Sequence, residues 1–346
     1  MMKKTVSGLL KLCASALASL VMLSVFALFY HNPPKSAVQL DYITNNKFVP
    51  GSNWSYMEEG FGYGKIDALG YNNGYYDNCT NPDIVFMGSS HLESLQVPYD
   101  SNCVNLLNQM FDADDLAYND FKCLNLGASG HFFEVSASNI EYVVKKFKDS
   151  KYVVIETSDV RFSPSVLDNM LEGKYHNPVK EPGTLYQVAQ KIPYFRLLYK
   201  KINEISVVKD GGNDSANDGS STSGDVFDAD VYKEKLNMVL DKILTLTKEE
   251  GITPVILMHE RFYIDEDGEV CMEKEEEYKE MFKKCCENKG IKIIDCVDKM
   301  IENYNKNFEL SYGFSNTVPG KGHLNKTGHR IIAEELYKQF NEMAVK

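Results

Sequence analysis

No two cysteines in this 346-residue sequence are spaced C-x-x-C, and its seven histidines are dispersed, with His259, His323 and His329 far from any cysteine cluster. Those absences remove the usual metal-ligand patterns, and neither a metal nor another cofactor is expected. Basic residues are also scarce: 37 Lys and Arg stand against 49 Asp and Glu, a formal net charge of −12. Nucleic acid needs a basic face, so it is excluded as a partner. Acidic residues are missing altogether from residues 1–34, where Lys3, Lys4 and Lys11 are the only charges. No internal repeat is evident.

What is present begins with that N-terminus. From Leu12 to Tyr30 run nineteen uncharged residues, "LCASALASLVMLSVFALFY", close to the roughly 20 that cross a bilayer core. The run is longer than the apolar part of an ordinary signal peptide, and bulky residues follow it. A signal anchor is therefore expected over 1–34, a cleaved signal peptide being the alternative. Lysines on its N-terminal side put that end in the cytoplasm and the rest outside. The part beyond keeps 34 basic and 49 acidic residues, a surface that suits polysaccharide or small acyl substrates better than anionic lipid. It holds seven of the eight cysteines. An oxidising exterior permits disulfides, and a local bridge among Cys285, Cys286 and Cys296 is conceivable.

Hydrophobic content of 43% and charged content of 25% are those of a globular protein with a full core. Residues 35–82, rich in Asn, Gly and Tyr, lack periodicity and read as an extension. Short apolar runs follow at 83–88, 122–127, 151–157, 253–259 and 291–295, each suited to a buried parallel strand. Between them lie helical stripes: Ile140, Val143, Val144 and Phe147; then Leu236, Val239, Leu240, Ile243 and Leu244, ended by Gly251; then Ile332, Leu336 and Phe340. Alternating strands and helices predict an α/β fold, a flavodoxin-like three-layer α/β/α sandwich with a five-stranded parallel sheet over 83–346. An insertion at about 160–231 interrupts it, with helical stretches including "TLYQVAQKIPYFRLLYKKINEI" and a Gly/Ser/Asp/Asn-rich run that reads as a loop.

Ligands bind such sheets at the carboxyl ends of the strands. Those ends read Gly88-Ser89-Ser90-His91, Gly127-Ala128-Ser129-Gly130, Ser158-Asp159-Val160-Arg161 and His259-Glu260-Arg261, and His323 precedes the last helix. Ser90-His91-Leu92-Glu93 fits an S-x-x-E capping box, so Ser90 taken alone reads as a helix cap rather than a nucleophile. A serine nucleophile needs a base, and a glycine lets a backbone N–H approach a developing oxyanion. Asn325 reads as the N-cap of the last helix, which leaves His323 freer for function.

"FMGSSHLES", "LNLGASG" and "GHLNKTGHRIIAEEL" together resemble the ordered blocks of the SGNH/GDSL hydrolase superfamily, over about 83–342 apart from the insertion. The resemblance implies Ser90 as nucleophile, His323 as base, and the N–H groups of Ser90 and Gly130 as an oxyanion hole. Two positions depart from the family pattern. Ser158 stands where an asparagine usually completes the oxyanion hole, and its shorter hydroxyl is the candidate third donor there. Gly320 stands three residues before His323, where the acid usually lies, so Glu260, Asp159 and Asp295 are the candidate orienting acids, or a Ser-His dyad operates. His91, His259 and Arg161 are candidate substrate contacts. The chain is similar in architecture to members that move acyl groups on envelope polymers, such as the D-alanine-transfer protein of teichoic-acid operons. The expected activity is that of a membrane-anchored esterase or O-acyltransferase acting on acylated carbohydrate. The alternative is a degenerate domain that binds glycan or scaffolds a multi-spanning membrane O-acyltransferase.

Overall fold

The computed structural model describes residues 2–27, 48–74, 81–113, 121–175, 228–273 and 276–344, with isolated positions between 192 and 198. Helix α1 (Met2–Ala27) carries the apolar N-terminal run. Its segment Val6–Ala27, with a mean hydropathy of 2.1, is long and apolar enough to cross a membrane.

A small hairpin follows, β1 (Asn53–Tyr56) antiparallel to β2 (Gly62–Lys65). Then come β3 (Ile84–Met87), α2 (Ser90–Glu93), α3 (Cys103–Ala113), β4 (Cys123–Asn125), α4 (Phe133–Lys146), β5 (Tyr152–Thr157) and α5 (Pro164–Leu171). The second half holds α6 (Ala229–Glu249), β6 (Thr253–Met258), β7 (Phe262–Ile264), β8 (Val270–Met272), α7 (Glu276–Asn288), β9 (Lys292–Asp295), α8 (Val297–Asn307) and α9 (Lys326–Ala344).

Strands β4-β3-β5-β6-β9 form a parallel five-stranded sheet in that spatial order. This is the flavodoxin-like 2-1-3-4-5 arrangement, whose order reverses between β3 and β5. The strands are apolar on both faces because both are covered. Val85, Met87, Val153, Ile155 and Ile256 pack under α4 and α6. Ile84, Phe86, Val154, Val255 and Leu257 pack under α3 and α9. The helical stripes predicted on α4, α6 and α9 face these two cores. Gly251, at φ 72°, turns the chain out of α6 in the left-handed region that a side chain resists.

The segment expected as a bare extension is stitched to the sheet where it is described. Trp54 and Ile66 of the hairpin region bury against Phe48 and Leu95. Beyond it, Asn73 pairs with the edge strand β4 as another strand would. Its Oδ1 accepts from Asn125 N at 2.8 Å, and its Nδ2 donates to Asn125 O at 2.9 Å. Asn73 thus satisfies both backbone groups of Asn125 at an otherwise open edge. The predicted bridge among Cys285, Cys286 and Cys296 is not formed; each is a free, buried thiol. Of the insertion, α5 is described, with Ser163 as its N-cap and Pro164 in its first turn. The Gly/Ser/Asp/Asn-rich run and most of "TLYQVAQKIPYFRLLYKKINEI" lie outside the described residues.

Replacing Asn73→Leu orphans the buried N–H and C=O of Asn125. At about 1–3 kcal/mol per unpaired buried group, the loss should be roughly 2–4 kcal/mol. Urea unfolding of the full chain in detergent should show it as a lowered midpoint, and an unchanged midpoint would refute the docking role assigned to Asn73.

Candidate active site

Strand β3 ends at Met87, beside the point where the strand order reverses. Gly88 follows because Glu156, from the neighbouring β5, needs its space: a Cβ there would stand 2.4 Å from Glu156 Oε2. That same oxygen accepts from Ser89 N at 2.7 Å. Ser89, not Ser90, is the N-cap of α2, its Oγ accepting from His91 N at 3.3 Å. The expected Ser90–Glu93 capping box is therefore not made. Glu93 instead accepts from Ser129 Oγ, tying the turn after β4 to the base of α2. Because its neighbour takes the capping duty, the Ser90 hydroxyl is left for other partners.

Its partner is His323. The imidazole Nε2 lies 2.9 Å from Ser90 Oγ. On the far side, Nδ1 lies 2.5 Å from Glu59 Oε2, while Glu59 Oε1 accepts from His323 N at 2.7 Å. A carboxylate at Nδ1 fixes the tautomer with hydrogen on Nδ1 and a lone pair on Nε2, facing the hydroxyl. Burial pushes the Glu59 carboxyl up, but its hydrogen bonds to His323 and the charges of His323 and Arg261 outweigh that and hold it below the usual range. Glu59 is presented by the turn between β1 and β2. Asn316 clamps that turn, accepting from Gly60 N at 2.8 Å and donating to Met57 O at 3.2 Å. Gly322, at φ 81°, makes the approach possible, since a Cβ there would fall 2.1 Å from Glu59 Oε1.

The carboxylates predicted to orient His323 are engaged elsewhere. Asp159 binds Arg161 at 2.8 Å, and Asp295 binds Lys283 at 2.7 Å. Glu260 faces Lys279 at 3.8 Å. Asp159 and Glu260 follow β5 and β6, Asp295 ends β9, and each meets a local cation there, whereas the Glu59 carboxylate arrives from the N-terminal hairpin. Gly320 stands in a turn, its N–H donating to Tyr312 O at 3.0 Å.

Behind the serine lies a buried polar layer. His259 Nε2 meets Glu156 Oε1 at 2.8 Å, and its Nδ1 meets Tyr312 OH at 2.6 Å. Glu156 and His259 are each 1% exposed. His91 is buried as well, its Nδ1 accepting from Leu324 N at 3.3 Å, one residue past His323. His91 and His259, predicted as substrate contacts, thus brace the loops that carry Ser90 and His323. Arg161 is held by Asp159 through Nε at 3.1 Å and Nη2 at 2.8 Å.

Among the described residues, no acceptor takes the N–H of Ser90 or of Gly130. Gly130 sits exposed in the turn after β4 at φ 80°. Ser158 follows β5 and lines a cavity of about 20 Å³ with Asp159, Arg161, Glu260 and Lys279, and neither Ser90 nor His323 borders it. A hydroxyl, an imidazole and a carboxylate in series can move a proton from the hydroxyl and stabilise the imidazolium that results.

No protein-family model matches the chain, and no curated protein matches it. Solved structures similar to it are esterases and lipolytic hydrolases. An alpha/beta hydrolase enzyme from the metagenome of Lake Arreo is 14% identical, with 74% of this chain and 94% of that one covered at a TM-score of 0.41. A member of the lipolytic protein G-D-S-L family from Veillonella parvula is 15% identical, with 74% and 97% covered at a TM-score of 0.39. An acetyl xylan esterase is 14% identical, with 74% and 98% covered at a TM-score of 0.42.

Burial pushes His131 down to about 4 and His329 down to about 3, and holds His91 well below its ordinary 6.5. These three stay neutral in the folded chain while unfolded histidines protonate near 6.5. Below that pH the unfolded state binds more protons, so stability falls on acidification by up to about 1.4 kcal/mol per pH unit for each group. Glu134, pushed up to about 7 by burial, opposes them over the same range, one group against three. The melting temperature should therefore fall between pH 6.5 and 5, before the ordinary carboxylates titrate, and His329→Gln should flatten that limb. A melting temperature flat down to pH 5 would contradict the burial assigned to these rings.

Proposed function

We propose that the chain is a serine ester hydrolase of the SGNH/GDSL type, held at a membrane by α1 with its α/β domain outside. The observation that carries the reading is the unbroken series Ser90–His323–Glu59 beside the sheet's reversal point. Ser90 Oγ attacks the ester carbonyl as its proton passes to His323 Nε2. Glu59 stabilises the imidazolium through Nδ1–H, and the amides of Ser90 and Gly130 receive the oxyanion. Collapse expels the alcohol, which takes the proton from His323 and leaves an acyl-serine. Water, or an acceptor hydroxyl, then gives its proton to His323 and attacks the acyl carbon, and Ser90 is restored.

The substrate class we favour is an acyl ester on an envelope or secreted polysaccharide. Release to water makes the chain an esterase. Delivery to a sugar hydroxyl, with a multi-spanning membrane O-acyltransferase as partner, makes it a transferase. The membrane helix supports an anchored enzyme, and Lys3, Lys4 and Lys11 favour a cytoplasmic N-terminus. The degenerate-scaffold reading drew on Gly320 and Ser158 in place of acid and asparagine; Glu59 at His323 Nδ1 deprives it of the first of those supports.

Fluorophosphonate capture by the full chain in detergent tests the assignment. Ser90→Ala should abolish labelling. Glu59→Gln should slow it by roughly 10²–10⁴, since an amide cannot stabilise the imidazolium and favours the wrong tautomer. Asp159→Asn and Glu260→Gln should label like wild type. Labelling that survives Ser90→Ala, or that responds to Glu260 and not to Glu59, would overturn the mechanism.

A further inference from the structure

Two exposed aromatic rings stand on one side of the hairpin that delivers Glu59. Phe61 and Tyr63 are two residues apart at the start of β2, so their side chains share a face. They are 51% and 44% exposed, and their centroids lie 5.8 Å apart with the planes tilted at 48°. Among the described residues, nothing in the packing of the hairpin explains them, because its core is made by Trp54, Ile66 and Leu95 on the other side. Both rings line a groove of about 580 Å³ that runs from the hairpin to the N-terminal end of α9. That size lies within the range of small-molecule and glycan sites.

Ser90, Glu59 and His323 do not themselves line the groove, but neighbours of two of them in the chain do. Gly60, next to Glu59, forms part of one wall, and Asn325, two residues past His323, forms part of the other. Its remaining surface mixes apolar and neutral polar groups, with Phe314, Gln96, Ser315 and Thr327 among them. Lys326 is the only charged residue among those lining it, in a chain where acidic residues exceed basic ones. A groove with tilted aromatic plates, hydroxyls and amides, and no carboxylate fits a ring whose faces carry C–H groups and whose edge carries hydroxyls. A pyranose has that construction: its C–H face packs on the electron-rich ring face, and its hydroxyls meet the polar rim.

We propose that the Phe61–Tyr63 groove is a glycan subsite that holds a pyranose ring of a polysaccharide while its acyl ester reaches Ser90. The proposal rests on the ester-hydrolase reading and gives its substrate a docking place. Phe61 and Tyr63 bind substrate; Glu59 orients the base. One short turn therefore couples recognition to catalysis, with Asn316 fixing both.

The test separates the two claims. The full chain in detergent, carrying Ser90→Ala so that bound esters persist, is applied to an array of immobilised pyranose oligosaccharides, neutral and acidic, acetylated and free. A subset should bind. Phe61→Ala should weaken that binding about tenfold, the loss expected for removing one well-placed aromatic contact. Phe61→Trp should restore it. Because Phe61 is half exposed, its truncation leaves the core intact, and circular dichroism of the variant should match the parent. Absence of glycan binding, or binding indifferent to Phe61→Ala, would overturn the subsite. Fluorophosphonate labelling of the chain with Ser90 intact reads the chemistry alone. A labelled chain without Phe61-dependent binding refutes the subsite only. An unlabelled chain that still binds glycan through Phe61 refutes the esterase and leaves the subsite standing.

Discussion

Glu59 holds both the backbone N–H and the ring of His323, and through that one carboxylate the N-terminal hairpin, the loop before α9 and the serine after β3 become a single site. The surrounding structure serves this contact. Gly322 lacks the Cβ that would collide with Glu59. Asn316 pins the turn from which Glu59 projects. Asn325 accepts from Gly328 N and donates to Leu310 O, which caps α9 and fixes the loop holding His323. Partial burial strengthens the pair: a charge-assisted hydrogen bond gains from a low local dielectric as long as its partner is present.

The layer beneath works in the same manner with a different partner set. Glu156 lies inside a buried strand, where a lone carboxylate would be costly. It is kept there by Ser89 N and His259, and Tyr312 completes the far end. Glu156 thereby anchors the strand-to-helix turn on which Ser90 rides. His91 anchors the residue after His323. Two buried contacts thus stand behind Ser90 and His323, which themselves stay partly open to solvent, and His323 retains 27% of its side-chain exposure.

The sheet and its flanking helices were legible because buried parallel strands appear as continuous apolar runs and their helices as single stripes. That Ser90 and His323 meet was legible from their places at the sheet edge and from the order of the blocks that carry the family resemblance. The acid was not. It lies 264 residues from its histidine, in a stretch without periodicity, and neither local spacing nor charge could join them. A trace existed in Gly60, Gly62 and Gly64: glycines alternating along a strand mark close backbone approach, and Cβ atoms at Gly60 and Gly62 would collide with Gln96 O and Leu95 O. The capping motif misled by one residue, since two adjacent serines offer the same oxygen and only the contacts around α2 choose Ser89. Glu156 in "KYVVIET" was a second missed signal, a charge within an otherwise apolar run.

The Nδ1 proton of His323, held between imidazole and carboxylate, offers the most direct reading of the central claim. Proton NMR of the full chain in detergent should show one far-downfield imidazole resonance at low temperature. Glu59→Gln should abolish it and Glu260→Gln should leave it in place. A spectrum without that resonance, or one in which it persists in Glu59→Gln, would contradict the account.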